Sequence, residues 1–375
     1  MGRMPVVGLL GTPGGLLLAE HDLNEAIEVF GENTGNLMFQ YACWTLIQNP
    51  RIAFTFRRMP PIGMLRENID VLCIPAANQL NPAWDLGWWA DFIEKLDKPV
   101  VIAGLGIQGL VDQEGSITLR PGTERFLHTV ANRAVHVGVR GPSTLRLLER
   151  YGVKNGVVTG CPSNFINPRV TGSVITERIA RLAEIESPRV NYLFGTMEEF
   201  ARPTEKELFT LCRDHAVRIV YQTNRRFFEL IHTGVATGDT AKYLSWERKI
   251  LAPDMTDEEY VRFILDRGRF YVDVKTWIDE VGRDDLSLGM RIHGAVAAVQ
   301  GGSLGVCVAF DARTLELART MGYPYVLTED LKRMTSLREL PSAIEFSESE
   351  FTSIRTELRQ SLKLAMEHHG VLTTL

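Results

Sequence analysis

The chain has 375 residues, 45% of them hydrophobic and 23% charged, which suits two ordinary globular domains better than one small core. A net charge of −5 and a pI near 6.0 argue against a nucleic-acid partner, which calls for a basic face. Five scattered cysteines without a C-x-x-C pair argue against a disulfide framework or a zinc site.

The apolar run 6–10 opens the chain as a strand, and Pro13-Gly14-Gly15 cuts it too short for a signal peptide. Further strand-like runs follow at 52–56, 69–74, 100–103, 135–139 and 157–159, then at 190–194, 217–221, 270–274 and 304–310. Between them lie helical patterns at 88–96, 124–134, 144–151, 205–214, 257–267 and 313–321. This alternation predicts parallel sheets covered by helices, an α/β chain of two Rossmann-like domains facing a cleft. Turn formers cluster at 167–172, so the expected division is 1–170, 171–341 and a C-terminal helical segment 342–375. Its stretch 348–368 reads as a long, mostly polar helix laid over the surface. No run reaches the roughly 18 apolar residues of a membrane span, so the expected location is the cytoplasm, with no integral membrane segment.

The most informative stretch is Gly289-Met290-Arg291-Ile292-His293-Gly294, followed by the small residues Ala295-Val296-Ala297-Ala298. A guanidinium and an imidazole two residues apart at a helix start aim cation, imidazole and free N–H groups at one point. A small molecule carrying both phosphate and carboxylate fits such a corner best. Ile292 and Gly294 are expected to touch it.

Other segments are read as parts of the same site. Gly104-Leu105-Gly106-Ile107-Gln108-Gly109 matches G-x-G-x-x-G after a strand, but the polar run 111–116 follows where a dinucleotide site needs a helix. It reads instead as a Gly loop that lets Gly106 and Gln108 approach a ligand. Asn33 and Asn36 in Gly31-Glu32-Asn33-Thr34-Gly35-Asn36 are either helix caps or ligand contacts. Arg140 ends a strand just before a helix and points into the expected cleft. Ser163 in Gly160-Cys161-Pro162-Ser163 is a further contact, while Cys161 has no His or basic partner nearby in sequence and reads as structural. Asp311 and Arg313 form a late Asp-x-Arg-Thr turn. No His, Asp or Glu cluster has metal-ligand spacing, so neither metal nor cofactor is expected. Trp84, Trp88 and Trp89 are able to stack on a sugar, although the latter two sit in an amphipathic helix and read as core.

Taken together, Asn33-x-x-Asn36, Ala103-Gly104-Leu105-Gly106-Ile107, Val137-Gly138-Val139-Arg140-x-x-Ser143, Gly160-Cys161-Pro162-Ser163, Arg291-Ile292-His293-Gly294 and Asp311-Ala312-Arg313-Thr314 resemble the polysaccharide pyruvyl transferase family. The match runs in order over roughly residues 30 to 325, with little of the pattern between about 171 and 265. The resemblance implies a GT-B-like fold and phosphoenolpyruvate as donor substrate. It implies a saccharide or lipid-linked saccharide acceptor whose hydroxyl pair becomes a pyruvate ketal. Arg140, Arg291 and His293 then hold the donor, and His293 is expected to touch the phosphate or act as general acid, its ordinary pKa near 6.5 suiting either task. Glu32 is a weak candidate for the base. Two other readings stay open: a GT-B glycosyltransferase using a nucleotide sugar, and a non-catalytic saccharide-binding protein.

Overall fold

Along Val71–Pro75 and Val100–Leu105, alternate residues go to opposite faces of one sheet. Cys73, Val101 and Ala103 join one apolar cluster, and Leu72, Ile74, Val100 and Ile102 join another. A shift of register between Ile102 and Leu105 then puts Leu105 on the same face as Ile102. Near-continuous apolar runs of this kind are what a sheet buried on both faces requires.

The computed structural model describes residues 3–16, 22–108 and 117–375. Gly109 and the polar run 111–116 therefore lie outside the described residues. The first half holds a parallel sheet of β1 (Val7–Leu10), β2 (Arg51–Phe54), β3 (Val71–Pro75), β4 (Val100–Leu105), β5 (Val137–Val139) and β6 (Gly156–Val158). Their order is β2-β1-β3-β4-β5-β6. The second half holds β7 (Val190–Phe194), β8 (Ala216–Tyr221), β9 (Gly268–Arg269), β10 (Leu286–Gly289), β11 (Leu304–Ala309) and β12 (Tyr325–Leu327). Here the order is β12-β11-β10-β7-β8-β9, again all parallel. Each sheet reverses its winding once, between β1 and β3 and between β7 and β10, and ligands gather at such points beyond the carboxyl ends of the strands. The two Rossmann-like units face one another across a cleft, the GT-B-like organisation expected.

The halves are joined by more than the chain. Leu16 N–H donates to Val272 O at 2.9 Å and Val274 N–H to Gly14 O at 2.9 Å. One apolar cluster runs from Leu9, Cys73 and Val101 of the first sheet into Tyr192, Val296 and Val306 of the second half.

Three local expectations need correction. The apolar run 270–274 is not a strand: β9 pairs at Gly268–Arg269, and Asp273 instead caps the helix Val274–Val281 by accepting from Thr276 N–H at 2.7 Å. The strands β10 and β12 were not expected. Finally, the helix Glu348–Met366 is not a polar layer on the outside. It returns to the first half, where Leu358, Leu362 and Met366 are buried with Val101 and Ala103, and it packs against β4, β5 and β6.

Candidate active site

The carboxyl ends of both sheets open into one cavity of about 810 Å³, lined from the two halves. From the first half come Asn33, Asn36, Gly106, Gln108 and Arg140; from the second come Gln222, Arg291, Ile292, His293 and Arg313.

Arg140 follows β5 and is held by its own backbone, its N–H donating to Leu105 O at 2.8 Å. The side chain turns inward, with Nε donating to Gly104 O at 2.9 Å and the guanidinium 5.4 Å from the Phe39 ring centre. Burial lowers its pKa from the ordinary value and Arg313 lowers it further, yet guanidinium remains charged. Gly106 is glycine because Arg140 passes beneath it: a Cβ there would lie 3.0 Å from Arg140 Cδ and 2.8 Å from Asn78 Oδ1.

Arg291 occupies the cap position between β10 and the helix Ile292–Gln300, at the β7/β10 reversal. It grips the end of β7, with Nε and Nη2 donating to Gly195 O at 3.2 and 2.6 Å, and Nη2 also to Thr223 Oγ1 at 2.8 Å. Burial lowers its pKa, opposed by the nearby Glu205. Glu205 is itself buried, accepts from Tyr192 O–H and from the N–H groups of Gly195 and Thr196, and is pushed up to about 7 by burial. Arg140 and Arg291 have no ion-pair partner among the described residues.

His293 is the second residue of that helix and is only 8% exposed. The ordinary pKa expected for it is overturned: burial, then the charge of Arg140, pushes it down to about 3. The imidazole is therefore neutral at ordinary pH. Its Nε2 lies 3.5 Å from Cys161 Sγ, so the cysteine thought to lack a His partner has one, 132 residues away in the chain. Ser163 Oγ donates to Cys161 Sγ at 3.0 Å, and Ser163 is fully buried behind the cavity rather than in its lining.

Arg313 reaches across the cleft, Nη1 donating to Gln108 Oε1 at 2.7 Å. Asp311, expected at the ligand, is a helix cap outside the lining: its Oδ1 accepts from Thr314 N–H at 2.6 Å. Gly294 is likewise a packing residue, since a Cβ would lie 2.6 Å from Leu193 Cδ2. The Asn33–Asn36 loop does not cap the following helix by a side chain, and Gly35 holds the cap position. Asn33 Oδ1 accepts from Gly35 N–H at 2.9 Å, and Asn36 Nδ2 donates to Phe30 O at 3.0 Å. A Cβ on Gly35 would come within 2.7 Å of Gln222 Oε1 and 3.1 Å of His293 Nδ1, so glycine lets this loop close over the site. Glu32 is exposed and outside the lining, where Asp85 and Glu316 are the carboxylates.

Gln222, just beyond β8, was missed in the sequence. It is 2% exposed, lines the cavity, and its Nε2 is buried without a hydrogen-bond partner. Nothing in Val-Tyr-Gln-Thr marks it; only its place after a strand was a signal. Trp88 was misread as core: it is 52% exposed, and Trp84 51% exposed, both on the cavity wall.

The polysaccharide pyruvyl transferase family matches the chain over residues 17–302. The chain belongs to that family. As a polysaccharide pyruvyl transferase it is an enzyme, and the non-catalytic reading falls away. Among curated proteins none matches the chain. Two solved structures similar to it are of HepE from Anabaena, one in complex with UDP and glucose at 12% identity, the other with UDP-glucose at 11%. Each alignment covers 96% of this chain and 96% of that one, with a TM-score of 0.42. Among the described residues, no helix of this pyruvyl transferase is long and apolar enough to cross a membrane.

Proposed function

We propose that the enzyme takes its pyruvyl group from phosphoenolpyruvate and builds a ketal on two hydroxyls of a saccharide, releasing phosphate. The observation that carries this reading is that two guanidiniums, buried Arg140 and half-buried Arg291, face one cavity with no ion-pair partner among the described residues. Cations taken out of water without an ion-pair partner are unfavourable, which supports an anion of high charge as the ligand of this cavity. Phosphoenolpyruvate brings a carboxylate and a phosphate on adjacent atoms, and each charge-assisted bond to them contributes about 1.5–3 kcal/mol.

In this reading Arg140, Arg291 and Arg313 neutralise the donor, and the free Nε2 of Gln222 supplies a neutral hydrogen bond. A proton adds to the methylene carbon, leaving positive character on the carbon that bears phosphate. The first saccharide hydroxyl attacks that carbon and loses its proton. Phosphate departs with the C–O bond electrons, and the second hydroxyl attacks the same carbon and closes the ring, its proton leaving with the phosphate. His293 enters neutral and donates to the phosphate; the arriving negative charge raises its pKa and lets it carry a proton only when the donor is bound.

The test is direct. Protein, phosphoenolpyruvate and a panel of saccharides are incubated, and phosphate release and ketal formation are followed by colorimetry and mass spectrometry. Phosphate release matched by a ketal on the sugar is expected, together with a rise in melting temperature with phosphoenolpyruvate alone. Absence of both ends the proposal.

A further inference from the structure

One part of the cavity wall is aromatic rather than charged. The segment from Asn81 to Trp89 carries two half-exposed tryptophans, Trp84 and Trp88, into the same space as the arginines. A large indole surface left open to water is unfavourable unless something covers it.

The backbone that carries Trp84 and the ring of Trp88 are held in place. Trp84 N–H donates to Asn81 O at 3.0 Å, and Trp84 O accepts from Thr123 Oγ1 at 2.7 Å. Asp85 accepts from Gly87 N–H at 2.9 Å and Gly122 N–H at 3.2 Å, tying the segment to the helix Pro121–Ala131. Trp88 packs edge-on to Phe56, with ring centres 4.4 Å apart, and 5.7 Å from Trp89. The surface is preorganised before any ligand arrives, which keeps the ordering loss on binding small.

We infer that Trp84 and Trp88 form the platform on which the acceptor binds, and that the residue stacked there is a neutral pyranose. This rests on the pyruvyl-transfer reading above. A pyranose ring presents C–H groups on one face to an indole and hydroxyls at its edge. The amides of Asn78 and Gln79 lie in the same lining, and Asn78 joins this side to the donor groups, its Oδ1 accepting from Arg140 Nη1 at 3.4 Å. The charged side chain carried by the segment itself is Asp85, a carboxylate next to Trp84 in the chain, whereas the cations Arg140, Arg291 and Arg313 come to the cavity from other elements. A uronic acid or a sugar phosphate would therefore be repelled from the platform and drawn to the donor site.

The experiment compares wild type with Trp84→Ala, Trp88→Ala and Trp88→Phe, using methyl hexopyranosides and methyl glucuronide as probes. Intrinsic fluorescence reads saccharide binding without turnover, and a melting shift with phosphoenolpyruvate reads donor binding. Neutral glycosides are expected to change the fluorescence of wild type and to bind about tenfold more weakly to both alanine variants. Trp88→Phe should lose less, with the phosphoenolpyruvate shift retained in all variants that melt as wild type does. The inference is overturned by alanine variants that bind neutral glycosides as wild type does, by glucuronide binding better than neutral glycosides, or by wild type binding no saccharide. Failure of the pyruvyl-transfer reading looks different: saccharides bind through the indoles, but phosphoenolpyruvate neither shifts the melt nor yields a ketal.

Discussion

Cys161 Sγ sits 3.5 Å from His293 Nε2, and Ser163 Oγ donates to the same sulfur at 3.0 Å. A serine, a thiol and an imidazole thus form a buried row behind the cavity, and the row fixes how the His293 ring is turned. The thiol is a positioning group, since it lies behind the imidazole and outside the cavity lining.

Cys161→Ala removes that contact while leaving Arg140 and Arg291 in place. The expected result is a kcat lowered about tenfold, with the KM for phosphoenolpyruvate moved much less. Cys161→Ser, which keeps a hydrogen-bonding atom there, should recover most of the loss. Steady-state kinetics of the two variants checks this, and equal losses in both would remove the positioning role.

Arg291→Lys should reduce kcat/KM for phosphoenolpyruvate by about 100-fold or more. Lysine has one nitrogen, whereas Arg291 spans Gly195 O and Thr223 Oγ1 and still faces the cavity. The donor-induced melting shift should shrink in step with the kinetics.

Gln222→Leu separates affinity from stability. The buried Nε2 has no partner, and replacing such a group by an apolar one of similar shape is neutral or stabilising. The variant without ligand should melt at or above the wild-type temperature, yet bind phosphoenolpyruvate about tenfold more weakly. A fall in both quantities would mean that Gln222 serves the fold instead.

Two buried groups give opposite pH trends. The folded-state pKa of His293, about 3, lies below its ordinary 6.5, so between these values only the unfolded chain holds the proton. Its contribution to stability is present above 6.5 and is lost as pH falls toward 3. Glu247 is pushed by burial from 4.5 up to about 8, so there the folded chain holds the proton, and stability falls as pH rises through that window. Its Oε1 accepts from Tyr260 O–H at 2.7 Å, and its Oε2 is buried without a partner. Glu247→Gln should melt above wild type at pH 8.5, a gain on the order of 1–3 kcal/mol, and lose that advantage at pH 5. His293→Gln should flatten the acid limb. Melting curves across pH 4–9 for the two variants check both signs.

The arrangement of strands and helices was largely legible because a buried parallel sheet imposes continuous apolar runs, as in 69–74 and 100–103. The strand β10 escaped because Leu-Ser-Leu-Gly is four residues long and has no β-branched side chain. The run 270–274 misled for the opposite reason: Phe270 and Val272 are apolar because they pack in the shared cluster, not because they pair in the sheet. Within the site, Arg140, Arg291, His293 and Arg313 could be read from sequence because each is a charged or titratable group at a strand-to-helix turn. Gln222 could not, since a neutral amide after a strand carries no such mark. The Cys161–His293 contact joins residues 132 positions apart, and no local pattern encodes a distance across two domains. Trp88 was misjudged because an amphipathic pattern identifies a helix with an apolar face but not what lies opposite it.

The return of the helix Glu348–Met366 to β4, β5 and β6 bears on how the protein comes to exist in the cell. Synthesis runs from the amino end, so the first sheet leaves the ribosome with the side destined for Leu358, Leu362 and Met366 still bare. At about 5–20 residues per second, that apolar face waits on the order of 10–40 s for its cover. Over that interval the nascent chain exposes apolar surface of the kind that aggregates, and the amino-terminal unit reaches its finished form only after the carboxyl-terminal one has been made.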